Sequence, residues 1–171
     1  MDLILLRHGK AEERHPLGDG ARALVEKGRE QSRRAGRLLK AVGFLPEIVL
    51  TSPLVRATQT ADEFCAAAGL PGPVVQGWLG CGCTPETVLS ELLAFRDFHR
   101  VAIVGHEPDF SAFIQWSMVA HGTSVKLKKG AMAALKITPP NRHGTLTFLI
   151  PPKLVEGLEP SPAAVRPIAS T

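Results

Sequence analysis

Residues 2–9 read DLILLRHG: four consecutive apolar side chains, Leu3 to Leu6, run directly into a cation, an imidazole and a glycine. A short, unbroken apolar run suits a strand covered on both faces, as in the middle of a parallel sheet. Arg7, His8 and Gly9 then fall at the carboxyl end of that strand, the edge where open α/β sheets bind their ligands. Residues 100–108, RVAIVGHEP, repeat the pattern and end in Gly105-His106-Glu107. Residues 47–52, EIVLTS, form a third buried strand that stops at Thr51-Ser52, with Arg56 one turn further on.

Between these strands the chain reads as helix. Ala35, Leu38, Leu39 and Val42 share one face of a helix over residues 26–42, with Gly43 as its stop. After EIVLTS, Ser52 serves as a cap and Pro53 as the first helical residue. PGPVVQ (71–76) is a short strand, and Thr84-Pro85 opens a helix over 84–95 whose buried face is Val88, Leu89, Leu92 and Leu93. A further helix follows Pro108. GAMAALKI and GTLTFLI are two strands joined through PPNRHG. Alternating strands and helices predict an α/β fold: a mostly parallel sheet flanked by helices on both faces, three layers in all. One domain over residues 1–154 accounts for these elements. Residues 155–171, rich in Pro, Ala and Ser, form a loose C-terminal tail.

Composition narrows the chemistry. The 171 residues carry a net charge of +4, which favours anionic substrates. Aromatic residues are only 5% of the chain and there is no tyrosine, so stacking platforms for single-stranded nucleic acid are scarce. No apolar run is long enough for a membrane span or a secretory leader, and the three cysteines suit a reducing compartment; a cytoplasmic location is expected. Cys81 and Cys83 have no partner ligands near them in sequence, so they are not read as a metal or redox pair.

Two imidazoles and two guanidiniums at one sheet edge suit phosphoryl chemistry. Guanidinium forks bind phosphate oxygens and keep their charge at any working pH. A neutral histidine can take the phosphoryl group covalently, and a second can stabilise charge on the transferring oxygens. The arrangement requires neither metal nor cofactor. Arg29, Arg33 and Arg37 recur every four residues and read as a solvated face, the alternative being a docking surface for an acidic partner. Lys126, Lys128 and Lys129 form a second basic cluster whose role the sequence leaves open. Trp78 and Trp116 read as core or pocket wall, and His15, His99, His121 and His143 as structural or surface residues.

LRHGKAE resembles the signature of the histidine phosphatase superfamily, the phosphoglycerate-mutase-like proteins. TSPLVRATQTA resembles its second arginine motif and VGHEPDFS its second histidine motif. LVEKGREQ, LKKGAMAALKI and GTLTFLIPPKLV resemble the small SixA-type phosphohistidine phosphatases. The resemblance covers roughly residues 1–154. It implies a phosphoglycerate-mutase-like fold, with His8 as phosphoryl acceptor, Arg7 and Arg56 as phosphate clamps and His106 completing the pocket. Arg22 resembles the arginine of an RPLT stretch, altered here to RALV, and is assigned with Gly9 to substrate binding. Gly9 is expected to let the backbone turn beside the phosphate.

Relatives that cleave phosphate esters usually hold a carboxylic acid between the second arginine and second histidine motifs. In the matching region, VVQGWLGCGCTPETV, the only carboxylate is Glu86, read as a helix-terminus charge. A site without a dedicated acid suits a phosphoramidate, since a protonated imidazole leaves as a neutral group. Only 49 residues separate Arg56 from His106, too few for a large lid, so an open site is expected. Both arguments favour a metal-independent phosphatase acting on histidine-phosphorylated carrier or signalling proteins. The alternatives are a phosphatase of small phosphate esters or nucleotides, and a phosphate- or nucleic-acid-binding module without turnover. His8 argues against the last, because anion capture needs no nucleophile; neither a nucleic-acid nor a membrane partner is expected.

Overall fold

A computed structural model describes residues 1–120 and 125–158. His121 and residues 159–171 of the expected tail lie outside the described residues. Six strands form one sheet in the order β3-β2-β4-β1-β5-β6. Strands β1 (Asp2–Arg7), β2 (Ile48–Thr51), β3 (Val74–Val75) and β4 (Arg100–Gly105) run parallel. Strands β5 (Met132–Thr138) and β6 (Asn141–Ile150) add an antiparallel hairpin beside β1. The turn expected over 139–144 shrinks to Pro139-Pro140, because residues 141–144 already belong to β6.

Strand alternation explains the three layers. Ile4, Leu6, Val49, Ala102 and Val104 face one core, which is completed by α1 (Glu26–Ala41), α2 (Val55–Ala68) and Val155 of α5 (Pro152–Leu158). Leu3, Leu5, Leu50, Val101 and Ile103 face a second core under α3 (Pro85–Glu91) and α4 (Asp109–Ser117). The central strands β1 and β4 have helices on both sides, hence their unbroken apolar runs. The boundary expected after residue 154 falls inside α5, where Val155 is buried against the first core.

Local details depart from the sequence reading. Val42 lies beyond the end of α1 and is exposed, since Gly43 takes a left-handed conformation that turns the chain away. Helix α2 begins at Val55, with Leu54 at its N-cap position and no side-chain cap. Ser52 is therefore not its cap, and its hydroxyl is used elsewhere. Thr84 does cap α3, accepting a hydrogen bond from the Thr87 amide at 3.2 Å. That helix ends at Glu91 and tightens into a 3-10 turn over Leu92–Phe95.

Candidate active site

Register brings the polar strand ends together. Arg7 lies opposite Gly105 and Thr51 opposite Val104, so His8, His106 and Ser52 all leave the sheet at one edge. The His8 amide donates to the Gly105 carbonyl at 3.1 Å, and the Ser52 amide to the Val104 carbonyl at 3.0 Å. The ladder thus extends one residue past each strand and holds both backbones rigidly. The two imidazole rings sit with centroids 5.3 Å apart.

For His8 the ring's partner fixes the tautomer. His8 Nδ1 lies 2.9 Å from the Gly9 carbonyl oxygen, which can only accept, so Nδ1 carries the hydrogen and Nε2 keeps its lone pair. His106 Nε2 lies 2.8 Å from Ser52 Oγ. That hydroxyl also accepts from the Leu54 amide at 3.3 Å, which leaves it one lone pair and one hydrogen for the ring nitrogen. His106 Nδ1 is buried with no partner among the described residues.

Both rings are buried and neutral. Desolvation pushes the His8 pKa from 6.5 down to about 3, with the charges of His106, Arg56 and Arg7 adding to the drop against the Gly9 bond. Desolvation likewise takes His106 down to about 4, assisted by Arg56, Arg7 and Arg22 and opposed by Asp19.

The guanidiniums of Arg7 and Arg56 are anchored from outside the cluster. Arg7 donates to the Leu127 carbonyl at 2.7 Å. Arg56, only 3% exposed on the first turn of α2, donates to the Asp19 carbonyl at 2.8 Å and to Cys81 Sγ at 3.5 Å. The Nε atoms of both arginines are buried without a hydrogen-bond partner among the described residues. Buried guanidinium donors of this kind can bind the oxygens of an anion.

Arg22 sits beside this group. It donates to the Glu12 carbonyl at 2.9 Å and pairs with Asp19 at 2.8 Å. Gly9 plays a different part from the one expected. It is not in the left-handed region, and its amide donates to Thr60 Oγ1 at 3.0 Å. It must be glycine because a Cβ there would stand 2.4 Å from the Gly28 carbonyl oxygen, where α1 crosses the strand end.

Asp19, a carboxylate that the sequence reading did not single out, reaches the cluster. Its Oδ2 lies 3.0 Å from Arg56 and its Oδ1 2.8 Å from Arg22. Desolvation raises its pKa, but the charges and hydrogen bonds of the two arginines outweigh that and hold the carboxyl below its usual range. Asp19 opens a single 3-10 turn, Asp19–Ala21, too short to leave a periodic pattern in the sequence. Asp109 was equally silent: it accepts from the Gly82 and Cys83 amides at 2.8 and 3.2 Å, fixing the loop that brings Cys81 to Arg56. Glu86 is exposed in the first turn of α3 and has no hydrogen bond or ion pair with the cluster. Lys126, Lys128 and Lys129 are exposed beside Arg7; His99 and His143 are exposed, and His15 Nδ1 accepts from the Leu17 amide at 3.2 Å. Among the described residues no group of three or more His, Cys, Asp or Glu side chains could hold a metal ion.

A family model described as the histidine phosphatase superfamily (branch 1) matches residues 3–78, a span that holds Arg7, His8, Arg22 and Arg56 and ends before His106. An uncharacterized protein of Picosynechococcus sp. is 33% identical over 146 residues, covering 80% of this chain and 85% of the relative. A 2,3-bisphosphoglycerate-dependent phosphoglycerate mutase of Corynebacterium diphtheriae is 45% identical over 80 residues, 44% of this chain. That match spans only 32% of the mutase's own length. Among solved structures, the protein histidine phosphatase SixA complexed with tungstate matches with a TM-score of 0.83 at 24% identity, over 91% of this chain and 99% of that one. In sequence motif and in fold alike, the chain belongs to the histidine phosphatase superfamily.

Proposed function

We propose that the protein is a phosphatase that uses a covalent phosphohistidine on His8 and acts on phosphohistidine displayed by another protein. The observation that carries this reading is the His8 tautomer: a buried, neutral ring whose Nδ1–H is tied to a carbonyl and whose Nε2 lone pair is free. Simple anion binding gains nothing from such a base, whereas nucleophilic attack requires it.

In the proposed reaction, Nε2 of His8 attacks phosphorus as the bond from phosphorus to the substrate imidazole breaks. The leaving imidazole, protonated beforehand on its other nitrogen, departs neutral. Arg7, Arg56 and the Nδ1–H of His106 bind the equatorial oxygens, where charge accumulates. The Gly9 carbonyl holds the Nδ1–H of the phosphorylated His8 ring, which is then a cation. Water next attacks phosphorus, the bond from phosphorus to Nε2 breaks, and neutral His8 and phosphate result. Arginines supply the positive charge throughout, so no metal takes part. Asp19 is ionised next to two guanidiniums and is a poor acid for a departing alkoxide, which also favours the phosphoramidate.

Asp19 supports a second reading as well. A bound phosphate dianion would offset Arg56 and raise the Asp19 pKa, which would let the carboxyl protonate the leaving oxygen of a small phosphate ester. One experiment separates the two readings. Dephosphorylation of a histidine-phosphorylated carrier domain is followed beside an alkyl phosphate, with wild type and His8→Asn, in chelator. A carrier rate far above the ester rate, lost in the variant together with an acid-labile, base-stable phosphoenzyme, is expected. Rapid ester turnover with the carrier ignored would replace the first reading by the second.

A further inference from the structure

Positive charge on this surface falls into two kinds. The arginines of α1 are neutralised within the fold: Arg29 pairs with Glu63 at 2.9 Å, Arg34 with Glu30 at 3.2 Å and Arg37 with Glu30 at 2.8 Å, while Arg33 contacts Glu26, Glu30 and Glu63. The row of arginines at four-residue spacing is therefore an internal network joining α1 to α2. The lysines are the opposite. Lys27, Lys126, Lys128, Lys129 and Lys153 line one groove of about 460 Å³, and Arg7 forms its inner wall. All five are exposed, and none has an ion-pair or side-chain hydrogen-bond partner among the described residues. The groove has one acidic side chain, Glu156, itself 3.7 Å from Arg34.

The chain builds this groove from three separate segments: the first turn of α1, the loop before β5 and the first turn of α5. Gly130 closes the loop. Its left-handed backbone lets its amide reach the Arg7 and His8 carbonyls, and Lys126, Lys128 and Lys129 line the groove beside Arg7. Arg7 belongs to both places, since its charge acts on His8 and His106 while it walls the groove.

We infer that the groove is the docking surface for the phosphorylated protein, and that it takes a carboxylate-rich face beside the phosphohistidine; this rests on the protein-substrate reading above. Charge complementarity chooses the partner: a groove whose five lysines have no ion-pair partner among the described residues attracts carboxylates and steers them toward Arg7. The residue type chooses between a protein face and a second phosphate on a small molecule. Lysines are point charges on long flexible stems, which accommodate carboxylates at variable positions. Planar guanidinium forks, which fix a small bisphosphate in one geometry, are lacking in the groove beyond Arg7.

The test uses Lys128→Glu/Lys129→Glu and, from other segments, Lys27→Glu/Lys153→Glu. These heads are exposed, so p-nitrophenyl phosphate turnover should stay within about twofold of wild type in both variants. Binding of a fluorescein-labelled decaglutamate peptide is read by anisotropy, and kcat/KM is measured on a histidine-phosphorylated carrier domain. Each variant should weaken peptide binding and carrier kcat/KM by about tenfold, and the difference should shrink as salt is raised. Unchanged peptide binding in both variants overturns the inference, as does an equal loss on p-nitrophenyl phosphate. Displacement of the peptide by micromolar 2,3-bisphosphoglycerate also overturns it, in favour of a small-anion site. A wild-type protein that ignores the carrier refutes the proposed substrate alone, and the peptide measurement then decides the groove by itself.

Discussion

Lowering the pH from 7 to 5 should remove about 4 kcal/mol of folding stability, nearly all of it through two side chains. His8 and His106 have pKa values of about 3 and about 4 in the folded protein, against an ordinary value of 6.5. Both shifts are depressions of a basic group, so the unfolded chain binds protons that the folded chain refuses. The stabilisation is complete above pH 6.5 and falls through the window down to about 4 for His106 and about 3 for His8. Within that window each histidine lowers the unfolding free energy by about 1.4 kcal/mol per pH unit, hence about 2 kcal/mol apiece by pH 5. Domains of this kind have only about 5–15 kcal/mol in total, so the effect is large. Urea unfolding at pH 7, 6 and 5 measures it directly. His8→Asn keeps a side-chain N–H for the Gly9 carbonyl but cannot be protonated, and should halve the loss; His106→Gln, which retains a nitrogen near Ser52, should do the same. A wild-type protein whose stability is flat over this range, or a His8→Asn variant with an undiminished loss, would refute the picture of two buried neutral rings.

Other substitutions probe the same geometry. Arg56→Lys removes the fork that holds Asp19 and, in the proposed reaction, the phosphate, and should lower kcat/KM on an aryl phosphate by about a hundredfold; a change under threefold would exclude Arg56 from the proposed clamp. Ser52→Ala frees the His106 ring, with an expected loss of about tenfold in kcat/KM. Its distinguishing sign is in the histidine nitrogen NMR spectrum, where a single His106 tautomer should give way to a mixture. Asp19→Asn withdraws a competing anion from Arg56, so inhibition by inorganic phosphate should tighten several-fold; a selective collapse of alkyl ester turnover in this variant would instead make Asp19 the acid of the second reading. Gly28→Ala would place a Cβ 2.0 Å from the Lys10 carbonyl oxygen. It should therefore destabilise the fold by about 2 kcal/mol or more in urea unfolding.

What could be read in advance is whatever the chain writes locally. Two-sided burial forces β1 and β4 to be apolar runs, and the polar residues that interrupt them mark the carboxyl edge. From that alone Arg7, His8 and His106 fall at one edge, with Arg56 a turn beyond β2, and the order of strands and helices fixes the layers. Ser52 shows the limit: its place before Pro53 suits a helix cap, yet only register with β4 reveals that His106 Nε2 lies 2.8 Å from its hydroxyl. Asp19 and Asp109 lie beyond that limit, since contacts across 37 and 26 residues leave no periodic trace. The sorting of cations into paired arginines and unpaired lysines is equally tertiary. Glu30 meets Arg33 within α1 by local spacing, but whether Glu63 also reaches it, while no ion-pair partner among the described residues reaches Lys128, depends on how α1 packs on α2 and where the loop before β5 comes to rest. Short-range periodicity encodes which face of an element is buried; long-range packing decides which charges meet.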